Sequence, residues 1–71
     1  MSSFAVRFIS ASNNDIKISV HDLRGRKIYE KLFSSAEFFN QNITLDKAQA
    51  GVYLVSIVDG AKKITKRIVV E

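Results

Sequence analysis

The 71-residue chain has no cysteine, no proline and no tryptophan, and it holds only three glycines, one histidine and one methionine. Without cysteine there is neither a disulfide nor a thiolate, and no cluster of ligands suggests a structural metal. A chain of this length forms one small domain that buries about 60% of the surface its unfolded form exposes. With 46% hydrophobic residues the chain is nevertheless expected to fold rather than to be disordered.

Long hydrophobic runs are also missing, since no stretch approaches the ~20 apolar residues that span a bilayer. The start, Met1–Phe4, lacks the charged and then apolar pattern of a secretory signal. We expect residues 1–3 to be a cloned or fragment start and residues 4–71 to form a single domain. If the chain is part of a longer protein, the targeting signal of that parent would lie upstream.

The formal net charge of +4 comes from 11 Lys and Arg against 7 Asp and Glu. The basic residues occur in ones and twos along the sequence, whereas nucleic-acid binding favours a dense basic stripe with interleaved aromatics. We therefore interpret them as solvated faces of strands and expect no nucleic-acid partner.

Alternation of apolar and polar residues, typical of half-buried strands, recurs through most of the chain. It predicts six strands, at residues 4–9, 16–21, 26–32, 38–45, 52–58 and 62–70. Residues 46–50 favour a helix by composition but are too few for a stable one, so we expect a single helical turn or a crossing loop. Short strands with frequent turn signals predict an all-β fold, a small immunoglobulin-like β-sandwich of about six antiparallel strands.

Two hairpins are expected. Residues 22–26, Asp-Leu-Arg-Gly-Arg, have the chemistry of a loop closed by a left-handed glycine, which would place Val20 opposite Ile28 and Ile16 opposite Leu32. It would also bring Asp22 to Arg26.

The second hairpin is signalled by Asp59-Gly60, a two-residue loop that would place Val55 opposite Ile64 and Tyr53 opposite Lys66. The strand before this loop is apolar on both faces and should lie in the middle of the structure. Tyr53 begins that strand after a crossing segment, as in a tyrosine corner, where the hydroxyl bonds upstream backbone.

Catalytic chemistry finds little support in the residues. Nucleophilic catalysis needs a nucleophile, a base and an orienting group, but His21 is the single histidine, beside Asp22 on the polar face of its strand. The carboxylates are spread singly, and each glycine is explained by a turn. We expect no enzyme activity, no catalytic residue, no metal and no cofactor.

Two features admit either a structural or a functional interpretation. Phe38-Phe39 could form an aromatic platform for a sugar, or one ring could enter the core while the other covers an edge. Lys66 falls on the apolar face of the last strand, where its stem could pack on Tyr53 with the amine in solvent. The alternative for Lys66 is a recognition contact near the chain end.

The order of three motifs carries a family resemblance. Ile18–Ile28 is similar to an apolar strand followed by Asp-Leu-x-Gly, two basic residues and an aliphatic one. Leu45 followed by Ala50–Ile57 is similar to a leucine and then Ala-Gly-x-Tyr-x-(Val/Leu)-x-Ile, and Lys62–Val70 to a basic and apolar last strand. Together, over most of residues 4–71, the chain resembles the C-terminal sorting domain of the Bacteroidetes type IX (Por) secretion system.

The resemblance implies a non-catalytic secretion signal at the end of a larger protein. The parent, often a protease, a glycan-degrading enzyme or an adhesin, would reach the periplasm by its own signal peptide. The outer-membrane type IX translocon would then recognise the folded tail and export the cargo, and a surface sortase-type peptidase would commonly remove the tail. The parent would therefore be secreted or held at the cell surface.

By position, the resemblance assigns recognition to residues of the last strand: Lys66, Ile68, Val69, Val70 and Glu71. It assigns structural roles in the family motifs to Asp22, Gly25, Leu45, Gly51, Tyr53 and Gly60.

The chain departs from the family pattern at its start. The family usually opens with Pro-Asn-Pro and a first edge strand, whereas this chain has no proline. We expect that a short strand is missing and that the uncovered sheet edge can pair two isolated domains. The alternative function is a glycan-binding or adhesive β-sandwich module appended to a secreted enzyme, with Tyr29, Phe38 and Phe39 as the contact residues.

Overall fold

A computed structural model describes residues 2–10, 12–46 and 48–71. Six strands follow one another: β1 (Ser2–Ile9), β2 (Ile16–Asp22), β3 (Lys27–Phe33), β4 (Phe38–Leu45), β5 (Gly51–Asp59) and β6 (Lys62–Val70). They form a two-stranded antiparallel sheet, β1-β4, and a four-stranded antiparallel sheet in the order β3-β2-β5-β6. The predicted all-β sandwich of six strands is confirmed.

The core lies between the two sheets and draws mainly on the inward faces of the two central strands, β2 and β5. Its buried apolar side chains are Val6, Ile16, Ile18, Val20, Phe39, Ile43, Leu45, Tyr53, Val55, Ile57 and Val70. As predicted, β5 has a central place, between β2 and β6. Its second apolar face is the outer surface of the sheet, where Leu54 is exposed.

The register of the first hairpin differs from the prediction. A β-bulge follows Val20 and makes Ile28 the extra residue, so that Val20 pairs with Tyr29 and Ile16 with Phe33. The one-residue shift turns Tyr29 and Phe33 toward the core and leaves Ile28 (42% exposed) outside. The predicted pairings with Ile28 and Leu32 are therefore wrong, although Asp22 does meet Arg26.

The second hairpin has the predicted two-residue loop, but one position later. Asp59 pairs with Lys62, which leaves Gly60 and Ala61 as the loop. Gly60 has a φ of 64° at the first central position, as a type II′ turn requires. The predicted opposition of Tyr53 to Lys66 is wrong, because Tyr53 pairs with Ile68.

The segment between β4 and β5 has no helical turn in the residues that the structure describes, and Lys47 lies outside them. Of the predicted polar loop 10–15, Ala11 is likewise outside, as is Met1 at the chain start. The first strand begins at Ser2, two residues before the predicted start. Over the described ranges there is no helix long and apolar enough to cross a membrane.

Candidate functional site

The predicted recognition residues all belong to β6 or directly follow it. β6 is the last strand of its sheet and pairs only with β5, so its other edge presents backbone N–H and C=O groups without a strand partner in the described part of the chain. Such an edge is a template for pairing with another chain.

The five predicted residues fall into two groups. Ile68 packs against the core and Val70 is buried in it, so these two side chains fix the position of the strand. Lys66, Val69 (69% exposed) and Glu71 point to solvent. Burial therefore leaves Lys66, Val69 and Glu71 available to a partner while Ile68 and Val70 hold them in place.

In the strand register Lys66 lies opposite Val55, and Ile68 lies opposite Tyr53. It lines a groove of about 190 Å³ between β1 and β6, whose apolar walls include the half-buried side chains of Phe4, Phe8 and Ile68. The Lys66 amine thus stands at an apolar groove along the open side of the sandwich.

Charge distinguishes β6 from the other strands. It carries four cations and no acid: Lys62, Lys63, Lys66 and Arg67. The ion pairs of the described residues lie elsewhere, at Lys17–Glu30 (3.9 Å), Arg26–Asp22 (2.7 Å) and Lys27–Glu30 (3.0 Å). The sequence interpretation of scattered basic residues did not predict this cluster. Its signal in the sequence is the presence of four basic residues and no acidic residue in residues 62–70.

The motif residues of the first turn hold the backbone of the β2–β3 hairpin. One carboxylate oxygen of Asp22 accepts hydrogen bonds from the backbone N–H groups of Arg24 and Arg26, both at 2.9 Å, and the other accepts from Arg26 Nε at 2.7 Å. Gly25, with a φ of 87°, donates its N–H to the Asp22 carbonyl. The Arg26 backbone hydrogen bond, aided by the Arg26 side chain, lowers the pKa of Asp22 below its usual value.

The motif residues around β5 form the predicted tyrosine corner. Tyr53 donates its hydroxyl hydrogen to the Gln49 carbonyl at 2.6 Å, and its ring is buried beside Leu45 in the core. Gly51, at the start of β5, has a φ of 154°. This hydrogen bond ties the crossing segment to the strand that aligns β6.

A cavity of about 620 Å³ lies beside the tyrosine corner. Asp22, Arg26, Tyr29 and Tyr53 line it together with Gln49. The Asp22 carboxylate bonds Arg26 and the Tyr53 hydroxyl bonds the Gln49 carbonyl, whereas the Tyr29 hydroxyl has no hydrogen-bond partner among the described residues. The Asp22 carboxylate and the Tyr53 hydroxyl are therefore already engaged in bonds that hold the hairpin and the tyrosine corner.

Of the two interpretations of Phe38-Phe39, the structure agrees with the one that places a single ring in the core. Phe39 is 3% exposed, stacks on Phe8 with ring centroids 4.9 Å apart, and meets Phe33 edge to face at 5.4 Å. Phe38 is 72% exposed on the other face of β4. One ring is in the core and the other outside, so Phe38 and Phe39 cannot bind one sugar together.

The remaining chemistry-bearing residues stay apart. His21 is half-buried next to the turn and pairs with Lys27 across the sheet. Within residues 2–10, 12–46 and 48–71, no three His, Cys, Asp or Glu side chains cluster in a way that could hold a metal ion.

Comparison with known proteins agrees with the motif order. The family model described as the secretion system C-terminal sorting domain matches residues 3–71, nearly the whole chain. No curated protein and no solved structure matches the chain. The match confirms the resemblance drawn from the three motifs.

Proposed function

Since the chain belongs to the C-terminal sorting domains of the type IX (Por) secretion system, a Bacteroidetes family, we propose that it is a non-catalytic signal that the outer-membrane translocon recognises in folded form. Its role is to export a larger cargo protein joined to its N-terminal side. The cargo reaches the cell surface or the medium through the periplasm and the outer membrane.

One observation carries the proposal: β6 is an open edge strand whose exposed residues are held in place by buried ones. Lys66, Val69 and Glu71 are the contacts that the translocon reads, while Ile68 and Val70 supply the packing that keeps them in register. A partner that binds an extended edge gains main-chain hydrogen bonds and reads alternate side chains.

Removal of the signal by a surface sortase-type peptidase follows export in this proposal. The cut falls on the N-terminal side of β1, because β1 contributes buried Val6 to the core and the half-buried rings of Phe4 and Phe8 to its margin. Loss of β1 would also leave β4 without its antiparallel partner.

The isolated domain can in addition form a dimer through an open edge. β1 is the better edge for this than β6, because Arg7 is its single charged residue whereas β6 carries four cations. Like charges on directly opposed strands are destabilising. Sedimentation of the chain over a range of concentrations would show a dimer, and a monomer throughout would contradict this part of the proposal.

The test of sorting fuses the chain to a periplasmic reporter in a host with a type IX secretion system. Deleting Ile68–Glu71 also removes buried Val70, so the informative variants change only exposed residues. Lys66→Gln with Val69→Thr should retain the reporter in the cell while the intact fusion is exported. The matched control on β3, Lys31→Gln with Leu32→Thr, alters an exposed pair on the opposite edge strand and should still be exported.

Thermal unfolding of the purified variants checks that both remain folded. If the intact fusion stays inside the cell, the sorting proposal fails. If both variants are exported as well as the intact fusion, the proposal that β6 is the strand being read fails.

A further inference from the structure

The two edge strands of the four-stranded sheet, β3 and β6, differ in whether their cationic side chains have partners within the protein. On β3, Lys27 Nζ lies 3.0 Å from the Glu30 carboxylate, and Lys31 Nζ lies 5.1 Å from the centre of the Phe33 ring. Both lysines of β3 therefore have a partner on their own strand. This edge has little unbalanced charge to offer.

The β6 edge has the opposite character. None of its four cations lies within 4.0 Å of a carboxylate in the described chain. The alternation of the strand sends Lys66 to the groove side, with Ile64 and Ile68, and sends Lys63 and Arg67 to the outer face. A strand added along β6 would therefore meet cations on both of its faces.

The groove beside β6 supplies the apolar part of such a site. Phe4 and Phe8 of β1 and Ile64 and Ile68 of β6 form its walls, and all four side chains are half-buried. Covering them removes apolar surface from water, which favours a ligand that brings small apolar or β-branched side chains to this side.

We propose that β6 binds an extended acidic segment of the export machinery, which adds to the sheet as a further strand. Main-chain hydrogen bonds to the open edge supply affinity, and carboxylates facing Lys66, Lys63 and Arg67 supply selectivity. This inference rests on the proposed sorting function, whose partner it describes chemically. A second copy of β6 is a poor occupant, since it would set like charges against each other.

The test uses the full chain and three nine-residue peptides that repeat Thr-Thr-Glu-Glu, Thr-Thr-Gln-Gln or Thr-Thr-Lys-Lys, called the Thr-Glu, Thr-Gln and Thr-Lys peptides. Because neighbouring residues of a strand point to opposite faces, each peptide presents its charged or amide groups to both faces. Amide chemical shifts and hydrogen exchange measured by NMR locate each peptide. We expect the Thr-Glu peptide to shift and protect the amides of β6. Loss of about three opposite-charge pairs should weaken the Thr-Gln peptide about tenfold, and the Thr-Lys peptide should not bind.

Charge reversal on the strand makes the test specific. Lys66→Glu with Arg67→Glu should reverse the preference, so that the Thr-Lys peptide binds and the Thr-Glu peptide does not. Lys31 is the matched control because it is the inward-facing lysine of the other edge strand. It lies opposite Ile18 on β3, as Lys66 lies opposite Val55 on β6. Lys27→Glu with Lys31→Glu on β3 should leave the preference for the Thr-Glu peptide intact.

Three outcomes overturn the inference: equal binding of all three peptides, shifts centred on β1, β3 or β4, or no binding at millimolar peptide. Export of the reporter fusion together with any of these outcomes leaves sorting intact and removes the acidic strand. Retention of the fusion together with selective peptide binding contradicts the sorting function and leaves the binding of an acidic strand intact.

Discussion

The hydroxyl of Tyr53 makes a part-buried hydrogen bond of 2.6 Å to the Gln49 carbonyl, which ties the crossing segment to β5. Tyr53→Phe keeps the ring and removes that bond, so the free energy of unfolding should fall by about 1 kcal/mol. Urea denaturation measures the change. Tyr29→Phe is the control, because Tyr29 lines the same cavity and no hydrogen bond of its hydroxyl occurs among the described residues. Equal losses for both variants would contradict the role given to the tyrosine corner.

Asp22 should make the stability of the first hairpin depend on pH. Its folded-state pKa is lowered, chiefly by the Arg26 backbone hydrogen bond, so its charge stabilises the fold above the unfolded pKa near 3.8. That stabilisation is lost as the pH falls through the lowered value. Asp22→Asn keeps an acceptor for the turn but removes the charge, so it should be less stable than the parent at pH 7, and the difference should shrink as the pH falls to 2.

Thermal midpoints at pH 7, 4 and 2 measure this difference. Asp22→Ala, which removes the acceptor as well, should remain the less stable protein at every pH. A constant gap between Asp22→Asn and the parent from pH 7 to pH 2 would show that the charge is not responsible.

At the scale of residues, local motifs were predictable and side-chain directions were less so. The Asp22–Arg26 contact and the Tyr53 corner depend on a few neighbouring residues whose turn chemistry is visible in the sequence. Ile28 and Leu32 were predicted to face the core, but alternation has no sign that shows where a bulge inserts one residue. Leu32 (61% exposed) and Phe33 exchange roles as a result.

At the scale of elements, the turns decide register, and Gly60 is the sensitive position. Its φ of 64° disfavours any side chain, and a Cβ there would lie 3.1 Å from Asn14 Nδ2 and 3.2 Å from Ser12 Oγ. Gly60→Ala should therefore cost about 1–2 kcal/mol for the backbone, with crowding in addition. Gly25→Ala at φ 87° has nothing within 4 Å of the new Cβ, so it should show the backbone cost alone.

Chemical denaturation of the two variants tests the order, with Gly60→Ala the less stable. The reverse order would mean that the contact with the β1–β2 loop is readily relieved. The register was missed for a different reason: the turn is of type II′, which places glycine at the first central position, so the loop is Gly60-Ala61 and not Asp59-Gly60.

Strand existence was the most predictable property of the elements. The bounds of β4 and β6 agree with the predicted residues 38–45 and 62–70, because loop or turn residues precede both strands and their alternation persists although Gln41 and Lys66 interrupt the apolar faces. The pairing partners across the two hairpins could not be predicted without knowing the position of the bulge and the type of turn. The open edge of β6 could not be predicted either, because it follows from the sheet order β3-β2-β5-β6, which no local sequence pattern contains.

At the scale of the whole molecule, a four-stranded sheet packed under a two-stranded one leaves open edges that must not pair indiscriminately. A chain of 71 residues has a stability of about 4–10 kcal/mol, so a small fraction of molecules is always unfolded with its strands exposed. Both outer strands of the larger sheet carry an inward lysine near their centre, Lys31 opposite Ile18 and Lys66 opposite Val55. Inward charges on edge strands oppose edge-to-edge association.

Replacing both lysines by valine, Lys31→Val with Lys66→Val, should therefore raise the thermal midpoint slightly and produce oligomers larger than those of the parent. Valine favours strands and buries more apolar surface, yet it removes the charge that an approaching edge must desolvate. Sedimentation velocity at increasing concentration measures the assembly. Lys17→Val is the control, because Lys17 lies on central β2, whose two edges are already paired, and it should change the charge without changing the assembly. If the double variant sediments like the parent, the two lysines do not protect the edges. The positive charge of β6 would then be explained by the binding of an acidic partner.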